Sequence, residues 1–285
     1  MPYVRPEALV TTDWLAGHMA DPSIAIIDAS WHMPATGRNA RAEFRERHIQ
    51  GAVYFDIDKI ADTSVNLPHM APSEEVFAQS VGALGISNDQ HVICYDSNAG
   101  AGAAMRAWWM FRLFGHARVS VLAGGLGKWI AEGRPIANGD SEARNAAFIA
   151  RFEPRLIRRI DDIRANIGAA REQVVDVRST GRFGGTEPEP RAGLRGGHIP
   201  GSVNLPFPLL LDSQNHNVPR SAEEIAAALK TAGIDADQPV VASCGSGVTA
   251  CVLAFAAYLI GKDAAVYDGS WTEWGGRTDT PVETA

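Results

Sequence analysis

The chain of 285 residues has a composition that excludes several classes of protein. With 46% hydrophobic and 21% charged residues it has the balance of a globular protein with a large core, which excludes a disordered chain. The net charge of -7 excludes the basic surface that nucleic acids and anionic membranes require, so we expect partners of neither kind. No apolar run reaches about 18 residues and the N-terminus has no apolar signal core, so the sequence predicts a cytoplasmic protein.

The sequence repeats itself at an offset of about 148 residues. An apolar strand that ends at Asp28 has a counterpart that ends at Asp176, and a His-Ile-x-Gly segment begins at His48 and again at His198. The length already favours two domains, and the repeat indicates two copies of one domain. Because these aspartates and histidines occur in both copies, we assign them structural roles.

Each copy alternates short apolar strands with helical stretches, which include residues 74–84 and 222–232 with apolar positions at helical spacing. This alternation predicts an α/β fold in which a mostly parallel sheet is flanked by helices. A short polar stretch separates the copies. We therefore predict a first domain at 1–140, a linker at 141–155 and a second domain at 156–285.

A cysteine in the second copy has the surroundings of a nucleophile. The run that begins at Val240 indicates a buried strand ending in Cys244, at the sheet edge where open α/β folds bind ligands. A Gly-Ser-Gly loop and a predicted helix over 248–260 follow, so backbone N–H groups and the helix N-terminus favour a thiolate. The first copy has Asp96 at this position and therefore no equivalent cysteine. The alternative interpretation of Cys244 is that it simply packs in the core as a small hydrophobic residue. The loop positions that we predict to contact substrate are Gly245, Gly247, Val248 and Thr249.

The other two cysteines do not extend this site. Cys94 lies in an apolar strand run, and Cys251 lies two helical turns after Cys244, so we predict that both are buried in the core. Three scattered cysteines are too few for a disulfide framework, and no metal-ligand spacing occurs. The sequence therefore predicts neither a metal nor another cofactor.

Several of these features together resemble the two-domain rhodanese-like sulfurtransferases. The shared features are two tandem copies, a cysteine loop in the second copy alone, His-Ile-Pro-Gly at 198–201 and Gly-Ser-Trp-Thr-Glu-Trp at 269–274. The resemblance spans essentially the whole chain and implies tandem rhodanese-like domains. Within the family, the uncharged loop after Cys244 is similar to that of members that use 3-mercaptopyruvate, whereas thiosulfate-using members carry Arg and Lys there.

The resemblance implies a reaction and its partners. Family members of this kind split 3-mercaptopyruvate into pyruvate and a cysteine persulfide, here on Cys244. They then pass the sulfur to a thiol acceptor, such as thioredoxin or a small thiol, or to cyanide. An uncharged loop suits a donor whose single charge is remote from its sulfur, whereas the thiosulfate dianion favours cations beside the cysteine.

Two arginines match family positions that contact the α-keto acid. Arg182 and Arg191 lie nine residues apart, between a predicted strand and the second His-Ile-x-Gly segment. Guanidinium groups can hold a carboxylate and an adjacent carbonyl in fixed geometry. The resemblance therefore implies that both bind substrate. The alternative is that they pair with Glu187 and Glu189 on a solvated loop.

The resemblance also implies a triad that spans the two copies. Asp58 and His69 of the first copy match family positions that align with the loop serine, here Ser246. Such a triad can relay a proton to the pyruvate enolate that carbon–sulfur cleavage leaves. Without the resemblance, Asp58 reads as a helix cap and His69 as an ordinary loop residue.

Three competing functions differ from this interpretation. A thiosulfate sulfurtransferase is disfavoured by the neutral loop. A Cys-x5-Arg phosphatase requires an arginine at position 250, where this chain has Ala250. A non-catalytic rhodanese-like binding module is disfavoured because Cys244 is retained.

Overall fold

Each half of the chain folds around a five-stranded parallel sheet covered by helices. The computed structural model describes residues 2–97, 102–141 and 145–284. The elements of the first half are β1 (Leu9–Val10), α1 (Thr12–His18), β2 (Ile24–Asp28), α2 (Ala40–Glu46), β3 (His48–Ile49), β4 (Val53–Tyr54), α3 (Glu74–Ala83), β5 (His91–Tyr95), α4 (Ala103–Leu113), β6 (Val119–Leu122), α5 (Gly125–Ala131) and β7 (Ile136–Ala137). Those of the second half are β8 (Ile157–Arg158), α6 (Ile160–Ala169), β9 (Gln173–Asp176), α7 (Thr180–Gly184), β10 (Val203–Asn204), β11 (Leu211–Asp212), β12 (Val218–Pro219), α8 (Ala222–Thr231), β13 (Val240–Ser243), α9 (Ala250–Leu259), β14 (Ala264–Tyr267) and α10 (Ser270–Trp274).

The two sheets share one strand order, which confirms the duplicated α/β fold. The first sheet runs β1-β6-β5-β2-β4 and the second runs β8-β14-β13-β9-β10, with every neighbouring pair parallel. Their central strands are apolar and buried on both faces, as parallel sheets require. Parallel strands end at the same sheet edge, so Cys244 leaves the second sheet from its carboxyl edge.

The paired histidines have matching structural roles in the two copies. His48 stacks on Phe44 with ring centroids 4.0 Å apart, and its Nδ1 lies 2.7 Å from the Phe44 carbonyl oxygen. His198 stacks on Phe183 at 3.7 Å, and its Nδ1 lies 2.9 Å from the Phe183 carbonyl oxygen. These contacts fit the structural role that the repeat predicts.

Helices α4 and α9 join the two halves. Trp108 of α4 contacts Phe255 of α9 edge to face, with ring centroids 4.8 Å apart. Because α9 is apolar on all sides and almost wholly buried, it packs against both its own sheet and the first domain. The cores of the two domains therefore form one cluster, and the loop at the start of α9 faces the first domain.

The segment after β7 packs on the first domain. Phe148 is buried against Phe77 and Phe111, and the Arg151 N–H donates to the Phe114 carbonyl. The predicted linker at 141–155 includes residues 142–144, which lie outside the described residues, and the domain boundaries stay a prediction. In the described parts of the chain, no helix has the length and apolarity needed to cross a membrane.

The strand-end aspartates lead to a stability prediction. Burial raises the pKa of Asp28 to about 6, and the donors that contact it among the described residues, such as the Ser30 N–H, are neutral. The folded chain therefore binds more protons than the unfolded chain between about pH 4 and pH 6, and this effect lowers stability as pH rises. We expect Asp28→Asn to raise the free energy of unfolding by about 1 to 3 kcal/mol at pH 8 and by little near pH 4.

The equivalent residue of the second copy serves as the contrasting control. Asp176 accepts hydrogen bonds from the buried Arg178 guanidinium at 2.6 Å and 2.9 Å. Asp176→Asn should therefore lower the free energy of unfolding by about 3 to 5 kcal/mol, because it breaks a buried ion pair. Urea unfolding followed by circular dichroism at both pH values measures the two changes. Destabilisation by Asp28→Asn at pH 8 would contradict the prediction.

Candidate active site

Cys244 follows β13 directly and lies beneath its loop. The residue is only 1% exposed, so the surrounding protein covers almost all of its surface. Its N–H donates to Ser270 Oγ at 3.1 Å, and that hydroxyl lies 4.0 Å from Cys244 Sγ. Ser270 has a φ of 48°, a left-handed conformation that only a few non-glycine residues adopt. The first turn of α10 therefore brings a hydroxyl next to the sulfur.

The start of α10 also orients the peptide groups of the loop. The Trp271 N–H donates to the Cys244 carbonyl at 3.0 Å, and the Thr272 N–H and hydroxyl donate to the Gly245 carbonyl at 2.8 Å and 2.6 Å. In a planar trans peptide the following N–H points away from its carbonyl, so the N–H groups of Gly245 and Ser246 point away from α10. The N–H groups of residues 245–249 donate to no described residue. They remain available for the anion-binding cradle that the sequence predicts.

The helix after the loop begins later than predicted. The apolar pattern predicts a helix from Val248, whereas α9 begins at Ala250. Gly247 has a φ of 78°, and a Cβ there would lie 2.6 Å from the Asp268 carbonyl oxygen. This left-handed glycine turns the chain before the helix begins, so Val248 and Thr249 stay in the loop.

A cavity of about 510 Å³ opens beside this loop between the two domains. Trp31 and Met33 of the first domain form one side, and Phe207 belongs to the second domain. The lining residues that the sequence predicts as site residues are Arg182, Arg191, Gly245, Ser246, Val248 and Thr249. Among the predicted site residues, the cavity lining does not include Cys244, Gly247, Asp58 and His69.

Arg182 lines the cavity and is also paired with a glutamate. Its Nε and Nη2 donate to Glu189 at 3.1 Å and 2.6 Å, so it forms the ion pair of the alternative reading. Glu189 is nevertheless buried rather than solvated, with a side chain only 2% exposed, and it also accepts from the buried Arg178 at 2.6 Å. The same Arg182 Nη2 lies 3.1 Å from the position of a Cβ added to Gly245. Glu189 therefore fixes Arg182 against the cysteine loop.

Arg191 differs from Arg182 because its charge is not paired at contact distance. It forms no hydrogen bond or ion pair with any residue in the described ranges. Burial lowers the pKa of Arg191 below its ordinary value, and the nearby Cys244 sulfur acts against that shift. The guanidinium stays cationic and has its donors free for a ligand. The alternative, a pairing of Arg191 with a loop glutamate, is absent from the described residues.

Asp58 and His69 form a pair, as predicted. His69 Nδ1 lies 2.8 Å from Asp58 Oδ1, although the contact departs from a linear hydrogen bond, and the Trp31 indole donates to Asp58 Oδ2 at 2.9 Å. Partial burial acts to raise the pKa of Asp58, but the contacts with His69 and Trp31 hold it below its usual value. Burial lowers the pKa of His69, so its imidazole is neutral at neutral pH.

The third member of the predicted triad is not in contact with this pair. His69 Nε2 is buried and has no hydrogen-bond partner among the described residues, so it does not bond the Ser246 hydroxyl. Ser246 lines the cavity and is 6% exposed. The structure therefore brings Asp58 and His69 together and leaves Nε2 without a hydrogen-bond partner among the described residues.

Three further contributors to the site escape sequence reasoning. Ser270, Thr272 and Trp31 hold the loop or the carboxylate of Asp58 through the contacts above. Ser270 and Thr272 belong to the Gly-Ser-Trp-Thr-Glu-Trp motif, which is the sequence signal that could have identified them. The tryptophans of this motif indicate core packing instead, and Trp271 is fully buried. In the described ranges, no three His, Cys, Asp or Glu side chains are grouped to hold a metal ion.

Comparisons with known proteins agree with this architecture. The model of the rhodanese-like domain matches residues 11–132 and 160–277. The human protein named 3-mercaptopyruvate sulfurtransferase is 47% identical over 273 residues, covering 94% of this chain and 91% of that protein. The rat protein named thiosulfate sulfurtransferase is 47% identical over 284 residues, covering 97% and 94%.

Solved structures give the same result. The crystal structure of SseA from Escherichia coli, described as a 3-mercaptopyruvate sulfotransferase, has a TM-score of 0.84 and 37% identity, covering 93% of this chain and 98% of that one. Tum1 from Saccharomyces cerevisiae also has a TM-score of 0.84, with 28% identity over 96% of this chain and 97% of that one. The chain therefore belongs to the rhodanese family, with two rhodanese-like domains, the second of which carries Cys244.

Proposed function

We propose that this chain is a 3-mercaptopyruvate sulfurtransferase with Cys244 as its nucleophile. The observation that carries the proposal is Arg191, whose guanidinium has no hydrogen bond or ion pair among the described residues and lines the same cavity as the loop around Cys244. A cation with free donors suits a carboxylate held apart from the reacting sulfur. The cysteine loop itself carries no charged side chain. This distribution of charge fits a donor with one remote negative charge.

The chemistry follows from the cradle around Cys244. The thiolate attacks the donor sulfur, a sulfur–sulfur bond forms, and the carbon–sulfur bond breaks with its electron pair passing to carbon. The products of this step are a Cys244 persulfide and the enolate of pyruvate. The proton of the donor thiol then moves to the enolate carbon, so one thiolate and one 3-mercaptopyruvate yield one persulfide anion and one pyruvate. The free N–H groups of the loop stabilise the anionic sulfur.

His69 holds the proton during this transfer. Its neutral imidazole has a free Nε2, and Asp58 stabilises the cation that forms when Nε2 is protonated. The family resemblance implies that the Ser246 hydroxyl relays the proton between the donor in the cavity and this imidazole. Rotation of that hydroxyl toward Nε2 on donor binding would complete the relay.

A thiol acceptor then removes the sulfur. Its thiolate attacks the outer persulfide sulfur, which moves to the acceptor and regenerates the Cys244 thiolate. The cavity of about 510 Å³ is larger than 3-mercaptopyruvate alone requires and opens between the domains. This opening can admit a small thiol, or an exposed cysteine of a protein such as thioredoxin, to the persulfide.

Thiosulfate is the competing donor, because relatives named thiosulfate sulfurtransferase match at the same identity as the human 3-mercaptopyruvate relative. Steady-state assays with each donor and a reduced dithiol separate the two functions. We expect pyruvate release from 3-mercaptopyruvate with a kcat/KM at least tenfold above that for thiosulfate. A higher efficiency with thiosulfate would overturn the proposed donor, and no turnover of either would overturn the enzyme.

The two arginines are expected to differ in their effect on donor binding. Arg191→Lys keeps the charge but loses the fork, so the half-saturating concentration of 3-mercaptopyruvate should rise by about 10- to 100-fold. Arg182→Lys should have a smaller effect, because Glu189 already occupies two of its donors. Single-turnover pyruvate release at increasing donor concentration measures both changes.

The partly exposed Arg220, which pairs with Glu224 of α8, is the matched control for this experiment. Arg220→Lys should leave donor binding unchanged. If Arg191→Lys changes the half-saturating concentration by less than twofold, Arg191 does not bind the carboxylate.

A further inference from the structure

Arg106 of the first domain is a fully buried cation that reaches the cysteine loop of the second domain. It lies on α4, and its side chain is 0% exposed. Nη1 donates to the Gly247 carbonyl at 3.2 Å, while Nη2 donates to the His69 carbonyl at 2.5 Å and to Asp268 Oδ1 at 2.8 Å. One guanidinium therefore contacts the nucleophile loop, the backbone of the proposed proton carrier and an acidic residue of the second domain.

The bond to Gly247 determines which way one cradle peptide faces. The Gly247 carbonyl accepts from Arg106 and also from Cys251 Sγ, at 3.4 Å. Because the peptide that follows is planar and trans, the Val248 N–H points away from Arg106. Helix α10 holds the carbonyls of Cys244 and Gly245, but in the described structure it makes no hydrogen bond to the Gly247 carbonyl. Arg106 is therefore the charged group that keeps this part of the cradle in place.

The bond to His69 restrains a strained residue. His69 has a φ of 61°, in the left-handed region that costs energy for a side chain of this size. Its ring lies against Trp31 at a centroid distance of 4.7 Å, and its carbonyl is bound by Arg106. Trp31 restrains the ring of His69 and Arg106 restrains its carbonyl, so Nε2 is kept in one position.

Asp268 holds Arg106 in turn. Its Oδ1 accepts from Arg106, its Oδ2 accepts from the Ala71 N–H at 2.7 Å, and the residue is 1% exposed. The guanidinium also lies over the Trp109 ring, 4.3 Å from its centroid. The charge is thus compensated and the side chain has one orientation, as a buried ion pair requires.

We infer that Arg106 is a positioning residue for sulfur transfer, which sets the Gly247–Val248 peptide of the persulfide cradle and the backbone of His69 through one guanidinium. The first domain lacks a nucleophile. It contributes the proposed proton carrier His69 and, through Arg106, the geometry of the cradle. The inference rests on the proposed function only for the role of His69. Its effect on the cradle applies to persulfide formation from either donor.

Arg106→Lys tests the inference. Lysine keeps the charge, but its single ammonium cannot reach both carbonyls and Asp268 in the fork geometry of arginine. We expect the maximum single-turnover rate of Cys244 persulfide formation, followed by intact mass, to fall at least tenfold. The half-saturating donor concentration should change by less than threefold, because Arg182 and Arg191 do not contact Arg106.

Arg112→Lys is the matched control on the same helix. Arg112 also crosses to the second domain, where it lies 3.3 Å from Asp263 and over the Tyr258 ring, but it contacts no part of the cysteine loop. Both variants should lower the temperature of unfolding, whereas only Arg106→Lys should lower the maximum rate. An equal loss of rate in both variants, or a wild-type rate in Arg106→Lys, would overturn the inference.

Two additions keep the test decisive. If Arg106→Lys does not fold, Asp268→Asn removes the carboxylate that holds Nη2 while changing one atom, and we expect at least a fivefold loss of rate. A folded Asp268→Asn variant with the wild-type rate would then overturn the inference. If the wild-type chain forms its persulfide from thiosulfate but not from 3-mercaptopyruvate, the proposed donor is wrong. The rates of Arg106→Lys and Arg112→Lys are then compared with thiosulfate as the donor, and that comparison still tests the inference.

Discussion

We expect the Cys244→Ser variant to release no pyruvate from 3-mercaptopyruvate and to gain no sulfur. A serine hydroxyl is not ionised near neutral pH and cannot form the persulfide that the transfer requires. The wild-type chain exposed to donor without acceptor should gain about 32 Da, the mass of one sulfur atom, on Cys244. Intact-mass and peptide mass spectrometry locate the added atom, and a coupled assay measures pyruvate.

The other cysteines are internal controls for this experiment. Burial raises the pKa of Cys94 well above its ordinary value and raises the pKa of Cys251 to about 12, so neither supplies a thiolate. Cys94→Ser should therefore keep its activity and lose only stability, since it places a hydroxyl in the core. Cys251→Ser should also keep its activity, because a serine hydroxyl can still donate to the Gly247 carbonyl. An added sulfur on Cys94 or Cys251, or pyruvate release by Cys244→Ser, would refute the assignment.

We expect His69→Asn to lower single-turnover pyruvate release by about 100-fold or more, within the range for a positioned acid or base. Asparagine can still present an N–H toward Asp58, but it has no nitrogen that accepts a proton in place of Nε2. Rapid-quench measurement of pyruvate at saturating donor gives the rate of this step.

The dependence of this rate on pH identifies the group. Burial lowers the pKa of His69 below its ordinary value of 6.5, although Asp58 acts in the opposite direction. The imidazole is therefore neutral above pH 6.5 and loses its free Nε2 as pH falls below that value. The wild-type rate should therefore decrease below pH 6.5 as His69 becomes protonated. The His69→Asn variant should lack the part of this decrease that His69 causes.

A half-buried histidine of the first domain is the control. His91 also has a pKa lowered by burial, but it stands at the amino end of β5, where its Nε2 lies 2.7 Å from Ser120 Oγ. His91→Asn should keep the wild-type rate and pH profile. If His69→Asn keeps them as well, His69 does not carry the proton.

Local patterns account for most of what the sequence predicted correctly. The strand before Cys244, the glycines after it and the absence of charge in the loop lie within a few positions of one another. Short-range sterics and strand burial determine their geometry. The duplicated fold follows from the same kind of evidence, because each copy repeats its own hydrophobic pattern and both sheets have one strand order.

The sequence was less reliable where one local signal competes with another. An apolar run predicts helix from Val248, but Gly247 at a φ of 78° delays the start of α9 to Ala250. Arg182 and Arg191 look alike in the sequence, and each has an acidic residue within a few positions. Burial of Glu189 between Arg178 and Arg182 decides that one arginine is paired and the other is not.

Contacts between the domains were decided by the tertiary structure alone. The sequence by itself determined the fold and the residue types around Cys244, because these depend on neighbours along the chain. Arg106 meets Gly247 and Asp268 only because α4 and α9 pack across the domain boundary. Likewise, Ser270 reaches Cys244 only when β14 lies beside β13 in the sheet. Such contacts depend on how whole helices and strands pack, and a pattern of neighbouring residues in the sequence does not predict them.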